Sequence, residues 1–600
     1  MNRRSVFRVA CVLPLSALTL FSLAWPDQAQ ADYAWNPFGV VWVLAAVVVA
    51  ALYWQTAERL FRRENGRLWA LACFFALWMT LGASFALHGD PRLLTQSRAS
   101  LVKCLLYFVG RAALYGAAMA WIRDRMRDAP PRAGAVGERS RFRPYLGALL
   151  LAWLAYAVVL YPGCLTRDSV SQLAQVLGKE PLSAAHPVAQ TALLAIPVGL
   201  ARLLGSADAA TAISCYGQML LLAVLLAYGL ERLRRSGLGQ GWLVGLLILY
   251  ALMPVYPTFG MTLCKDVPFG MAVLLLSIAL YRLVSLPAGE KPGPGLWVQL
   301  LVAAALTTLL RNAGFFVAAA TLAAALVWVL CTRRRALRLM TACALALSVA
   351  VYAALSLLTP ALGFAECPDQ ENYSIPLQQT ARCLLGHRDE LTAEELATLS
   401  AVLDVDLAMT DYDPELSDPV KWLWNADATE AERSAYFRLW ASFLRRWPDT
   451  CLVATFHNAY GYLYPGYVTG YKKPHFSVRP QAAVDLETIA PEYAPAMSAR
   501  AGAVDALLEG LLNQPLGRLL IAPGLYGWLL LFALALCAGK TRRRALLPLL
   551  PLLLVLLGLF ASAVNGYMRY AMPIYLGAPW ALGMAARVRR ENGASAFGGG

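Results

Sequence analysis

Apolar runs of about 20 residues recur along the chain between short polar breaks, and a helix needs about that length to cross the hydrocarbon core of a bilayer. About fourteen segments meet this length, at residues 5–24, 36–55, 68–88, 100–122, 145–161, 207–230, 240–258, 266–284, 295–310, 312–330, 338–358, 518–537, 544–562 and 571–588. The pattern predicts an all-α polytopic membrane protein with about 13–14 transmembrane helices. The first segment follows Arg3 and Arg4 and precedes Ala29-Gln30-Ala31, which has the form of a cleaved signal peptide. Its apolar run is long for that role, so an uncleaved first helix is the preferred reading.

Basic residues supply the orientation. Arg62 and Arg63, Arg123 to Arg143, Arg232 to Arg235, Arg333 to Arg335, Arg542 to Arg544, and Arg587 to Arg590 all fall on one side if both termini are cytoplasmic. Counting the apolar run 187–204 as a span would move Arg232, Arg234 and Arg235 to the other side. It is therefore read as an interfacial helix on the outer membrane surface. Four regions result: membrane helices over 1–144, a membrane core over 145–359 with an outer loop 162–206, an extracytoplasmic, mostly helical domain over 360–517, and C-terminal membrane helices with a cytoplasmic tail over 518–600. Within the outer domain, Thr392 to Glu395 has the spacing of a capping box that opens a helix. Pro and Tyr residues around 464–493 predict irregular loops.

Composition agrees with that picture. Hydrophobic residues make up 59% of the chain and charged residues 15%, against about 25% charged in soluble proteins. The mean hydropathy is +0.52. These values exclude a disordered chain, a collagen-like fibre and a disulfide miniprotein. The net charge of +15 would suggest a nucleic-acid partner in a soluble protein. Here cytoplasmic loops account for it, and no Lys/Arg stripe interleaved with aromatics lies outside the apolar runs, so nucleic acid is not an expected partner.

A second set of polar and ionisable residues, at the ends of apolar runs, falls at the face opposite the basic clusters. Asp168 and Gln172 follow the fifth segment, and His186 precedes the interfacial helix. Lys265 and Asp266 open the eighth segment, Arg311 sits between the ninth and tenth, and Arg569 and Tyr570 precede the last. Ionisable groups at membrane depth are costly and mark function by default. Each also has a structural reading: Asp168 as a helix cap, Lys265-Asp266 as an ion pair, Arg311 and Arg569 as snorkelling anchors, His186 as the start of a helix. Together they suit transfer from a lipid phosphate. A carboxylate accepts the proton of an attacking hydroxyl, and cations stabilise charge on the departing phosphate. Glu366, Gln378 and Arg382 have two readings, as the roof of the active site or as surface residues of the outer domain, and the surface reading is preferred. No metal-ligand spacing, Walker A lysine or Rossmann fingerprint appears. Of the 12 cysteines, Cys164, Cys264, Cys367, Cys383 and Cys451 fall on the outer side. A Cys367–Cys383 disulfide would suit that compartment, although spacing does not fix the pairing.

The order Pro162-Gly163, Asp168-Ser169, Gln172, His186-Pro187, Lys265-Asp266, Gln378-Gln379, Asp418-Pro419-Val-Lys421 and Arg569-Tyr570 resembles the GT-C superfamily of membrane glycosyltransferases. It is closest to an uncharacterised bacterial membrane-protein family allied to them. The resemblance covers roughly residues 145–588 and implies a GT-C-like fold and a sugar donor linked to polyprenyl phosphate. It implies a cell-envelope glycan or lipid as acceptor, and an active site on the extracytoplasmic face of the cell membrane. By it, Asp168 would be the catalytic base, and Asp266 would hold the acceptor or a divalent metal ion. Lys265, Arg311 and Arg569 would bind the donor phosphate, with His186, Gln172 and Tyr570 also lining the substrate site. Arg167 stands where better-known members often carry a second acidic residue, so no cofactor is certain. The leading expectation is an inverting glycosyltransferase. A flippase or transporter of lipid-linked saccharides would instead place polar groups at the bilayer midplane. A non-catalytic envelope assembly protein would make no demand on Asp168 or Asp266.

Overall fold

The computed structural model describes residues 3–25, 40–60, 65–128, 139–287, 290–331, 335–467, 493, 501–538, 540–562 and 564–594. Ala29-Gln30-Ala31, Arg62, Arg63, Arg333 and Arg334 lie outside the described residues, as does most of the 464–493 loop.

Each predicted apolar segment contains a helix. In chain order they are α1 (Arg3–Ala24), α2 (Val40–Leu60), α3 (Gly66–His88), α4 (Arg98–Asp128) and α5 (Phe142–Val159), then α6 (Arg167–Val176) and α7 (Val188–Leu204) of the first outer loop. Next come α8 (Ala207–Arg235), α9 (Gln240–Leu252), α10 (Val255–Gly260), α11 (Asp266–Val284), α12 (Pro294–Leu309), α13 (Gly314–Leu330) and α14 (Arg335–Ala361). The outer domain contributes α15 (Ser374–His387), α16 (Ala393–Val402), α17 (Glu430–Arg446) and α18 (Pro448–His457). The C-terminal part holds α19 (Pro523–Cys537), α20 (Leu550–Leu559) and α21 (Met572–Ala594).

The fold is all-α, with one two-stranded ladder among the described residues. Six of these helices, α3, α4, α5, α8, α11 and α14, are long and apolar enough to cross a membrane, and among the described residues eight further apolar stretches of 10–17 residues are helical. Proline explains several of the short ones. The run 240–258 is split because Pro254 lacks an N–H and pushes Met253 into an extended conformation (ψ 119). Ala522 is likewise extended before Pro523, which divides the run 518–537. The run 544–562 opens as a 3₁₀ helix, Lys540–Leu549, before α20 begins.

Large apolar side chains are left on the outside of these helices. Leu151 and Leu357 are each 75% exposed and Phe316 is 64% exposed. An apolar surface this extensive is expected where lipid replaces water. The central helix is α11, buried nearly all round among α8, α12, α20 and α21.

A separate core holds the outer domain. Leu377, Leu384, Leu399, Val402, Tyr436 and Phe443 pack with Trp424 and Trp447. The Thr392 capping box is present, with Glu395 returning a bond to the Thr392 N–H. Two sequence expectations change here. Gln378 is not a surface residue: it is buried and donates to the Asp413 carbonyl at 2.9 Å. Cys383 lies against Cys451, Sγ to Sγ 3.7 Å, and not against Cys367, because α15 packs along α18.

Candidate functional site

The site begins with how two loops are joined. After α5 the chain turns through Pro162 and Gly163 into β1 (Cys164–Leu165), which pairs in parallel with β2 (Thr262–Leu263). Gly163 has φ +135, and a Cβ there would fall on the Cys215 Sγ, so glycine is required. Thr166 caps α6 by accepting from the Ser169 N–H, and the Ser169 hydroxyl donates to the Leu263 carbonyl. The cap role considered for Asp168 is therefore taken by Thr166. Asp168, in the first turn, is free to face the second loop.

There it meets Lys265, Nζ to Oδ2 2.9 Å, and Arg569, Nη2 to Oδ1 3.0 Å. Lys265 does not pair with its neighbour Asp266. Instead its ammonium also donates to His186 Nδ1 at 3.0 Å. An ammonium has only donors, so His186 is the neutral tautomer with its proton on Nε2. Asp266, fully buried at the start of α11, pairs with Arg311 at 2.7 Å, and its Oδ2 lies 3.8 Å from Arg569 Nε. Arg311 is thus tied to a carboxylate, not snorkelling. Gly314 permits its turn: a Cβ there would strike the Thr307 carbonyl.

Two guanidiniums flank one ring. Arg311 Cζ and Arg569 Cζ each lie 5.1 Å from the Tyr570 ring centre. Tyr567 lies under Arg569 at 4.9 Å and Phe269 under Arg311 at 5.6 Å. These platforms hold the guanidiniums in place by cation–π attraction. Tyr567 and Phe269 were not marked in the sequence, where aromatics are too common in apolar runs to stand out.

The electrostatics follow from this packing. Burial by itself would raise the Asp168 carboxyl, but Arg569 and Lys265 overcome it and hold it well below the usual carboxylate range. Burial, aided by Lys265, lowers His186 to about 4. Arg569 is pushed up by Asp168 and the tyrosines against the opposing effect of burial. Three cations face two carboxylates, and Asp266 Oδ2 and Arg569 Nε have no hydrogen-bond partner. Such a donor set does not fit a divalent ion, since both carboxylates are engaged by cations. Among the described residues no group of three His, Cys, Asp or Glu side chains is placed to hold one.

One turn along α6 from Asp168, Gln172 donates to the Thr191 hydroxyl at 2.9 Å, and its Oε1 is buried without a partner. Gln190 on α7, also buried, has an unpartnered Oε1 too. Gln190 was not marked in the sequence; its place one turn after His186 was the available signal. The outer domain reaches the same end of the bundle. Ala365 bridges Ser183, and Asn565 donates its N–H to the Glu415 carbonyl at 2.9 Å. Buried Lys421 pairs with Glu371 at 2.8 Å and with Asp418 at 2.9 Å.

The fold and this cluster define an all-α protein with membrane-length apolar helices and a paired set of buried charges at one end of them. Residues 177–597 match DUF6020, a family of unknown function, over well more than half of the chain, and the chain belongs to that family. His186, Lys265, Asp266, Arg311, Arg569 and Tyr570 fall within the matched residues, whereas Asp168 and Gln172 precede them. No curated protein and no solved structure matches the chain.

Proposed function

We propose that the protein is a multi-pass membrane glycosyltransferase with a GT-C-like arrangement, moving a sugar from a polyprenyl-phosphate donor to a cell-envelope glycan or lipid at the extracytoplasmic face. The observation that carries this reading is the convergence of Asp168, Lys265, Asp266, Arg311 and Arg569 on one cluster from four separate stretches of chain. In this reading the fourteen predicted segments all span, both termini are cytoplasmic, and the outer domain roofs the site.

The cluster bears one more positive than negative charge and so suits an anion. A donor phosphate would draw Lys265 and Arg569 from Asp168, while Arg311, still paired with Asp266, offers it further N–H groups. That relieves the hold on Asp168 and raises its basicity as the donor binds. The acceptor oxygen then bonds to the anomeric carbon while the carbon–oxygen bond to phosphate breaks. The hydroxyl proton passes to Asp168, and the electron pair leaves on the phosphate, held by the three cations. Gln172 and Gln190 offer carbonyl oxygens to hydroxyl groups of the bound sugar or acceptor. No step is routed through a metal. The gathering of charge at helix ends weighs against a transporter, whose site belongs near the midplane.

The test is transfer of radiolabelled sugar from polyprenyl-phosphate donors to envelope extract by purified protein and by Asp168→Asn. Loss of about 10²-fold or more in the variant is expected of a general base. Equal transfer by both would remove Asp168 from the mechanism. No transfer by the unaltered protein from any donor would shift the reading to a transporter or an assembly protein.

A further inference from the structure

At the other end of the same helices is a second cationic site. α11 is 19 residues long, about 28 Å at 1.5 Å per residue, so its two ends serve different regions. Asp266 opens it at the cluster already described, and Arg282 closes it. Around Arg282 lies a cavity of about 440 Å³ lined by Arg232, Arg235, Tyr281, Ser285 and Glu290. That volume lies in the range of ligand-binding clefts.

The arginines are not equally committed. Arg235 pairs with Glu231 at 2.7 Å. Arg282 is held by neutral acceptors, the Tyr228 hydroxyl at 3.3 Å and the Gln299 amide oxygen. Among the described residues the Arg232 guanidinium makes no hydrogen bond or ion pair, and its Nε is buried without a partner. Favourable interaction with the C-termini of α8 and α11 accounts for basic residues here. It does not account for a cavity between them or for a buried guanidinium donor left unused, which costs free energy unless a ligand accepts its bond.

We infer that this cavity binds a phosphate group, with Arg232 and Arg282 as its principal donors. A guanidinium offers two parallel N–H bonds to phosphate oxygens, and Ser285 adds a hydroxyl. Tyr281, Leu286 and Leu296 give the cavity an apolar wall, which suits the phosphodiester of an anionic phospholipid lying beside the helix ends. A free phosphate shares the same recognition chemistry. The site is separate from the glycosyl-transfer proposal and stands whether or not that reading holds.

The experiment uses the full-length protein in phosphatidylcholine nanodiscs with and without phosphatidylglycerol. Retained lipids are counted by native mass spectrometry, and binding of inorganic phosphate is measured on the same samples by isothermal titration. Losing one charge-assisted bidentate contact corresponds to about tenfold weaker binding. The expected result is selective retention of phosphatidylglycerol that falls by about that factor in Arg232→Gln and in Arg282→Gln. Arg232→Lys, which keeps the charge but not the fork, should recover only part of it. Inorganic phosphate binding that depends on Arg232, with no lipid selectivity, would support the site and identify free phosphate as its ligand. Undiminished retention of both ligands in variants with unaltered melting temperature, or binding of neither by the unaltered protein, overturns the proposal. Arg92→Gln, exposed and outside the cavity, is the charge control.

Discussion

Asp168 and Asp266 carry the same charge in the same cluster, yet their surroundings divide their roles. Asp168 is 17% exposed and is gripped by a point charge and a fork, both of which a phosphate can draw away. Asp266 is fully buried, with Arg311 on one oxygen and the other 3.8 Å from Arg569 Nε, beyond hydrogen-bond reach. A buried carboxylate that loses its partner is strongly destabilising, so loss of Arg311 costs more at fully buried Asp266 than loss of one of its two cations costs at Asp168. The histidines give this environment a pH signature. His186 and His457 are each lowered to about 4, first by burial; Lys265 adds to the effect on His186 and Arg382 to that on His457. Asp168 and Glu371 oppose the shift at His186, and Asp90 opposes it at His457. Between the ordinary histidine value of about 6.5 and about 4, the unfolded chain binds a proton at each that the folded chain does not. Stability from these groups is therefore complete above about 6.5 and is lost as pH falls toward about 4. Asp168 adds a further loss only below its ordinary range of about 3.9. Thermal unfolding of the detergent-purified protein across this window should show a falling melting temperature. His186→Gln and His457→Gln should each flatten the decline, and an unchanged slope in both would show that these histidines are already protonated when folded.

Helices and loops show what the sequence makes legible and what it hides. Ionisable residues at the ends of apolar runs stand out against their neighbours, so Asp168, His186, Lys265, Asp266, Arg311 and Arg569 were all readable as candidates. Their partners were not. The pairing of Asp168 with Lys265 and of Asp266 with Arg311 depends on the ladder between β1 and β2 and on the α12–α13 turn, contacts between distant stretches that no local pattern encodes. Helix existence was legible from runs of apolar residues, while the breaks at Pro254 and Pro523 were missed because hydropathy passes through proline unchanged. An amide in a polar segment reads as solvated, so the sequence points Gln378 to the surface although it is buried. The cysteines show the same limit, since Cys383 and Cys451 stand 68 residues apart. Their sulfurs are buried and adjacent, linking α15 to α18. If the outer domain faces an oxidising compartment, these two thiols should lose two hydrogens to the thiol oxidants of that compartment and form a disulfide. Closing such a loop contributes roughly 2–4 kcal/mol. Mass spectrometry of the protein isolated under thiol-blocking conditions should then find both residues protected until reduced, and Cys383→Ala should lower the melting temperature of the outer domain. Free thiols at both positions in freshly isolated protein would place the domain in a reducing compartment.

For the whole molecule, the decisive relation is that one set of helices separates two charged ends. α8, α11 and α21 each run from the neighbourhood of the paired cluster to the arginine-rich end, where the Arg141 N–H donates to Glu231, Arg587 donates to the Ser236 carbonyl, and Arg232, Arg235 and Arg282 share a cavity. In the proposed topology a bilayer surrounds these helices and puts the two ends in different compartments. The cost of carrying several arginines across it during insertion favours leaving them on the cytoplasmic side. In the proposed topology the outer domain lies outside with the paired cluster. Two positions separate the alternatives in intact cells. Glu394 is exposed in the first turn of α16, and Cys331 is exposed just after α13 at the other end. A membrane-impermeant thiol reagent should label Glu394→Cys in intact cells, whereas Cys331 should be labelled only after permeabilisation. The reverse pattern would invert the topology and remove the extracytoplasmic transferase reading, because polyprenyl-phosphate sugars presented outside could not reach Asp168. Labelling of both positions in intact cells would mean that the two ends are not separated by a membrane. The helices, apolar as they are, would then have to bury their exposed leucines and phenylalanines against one another or another protein.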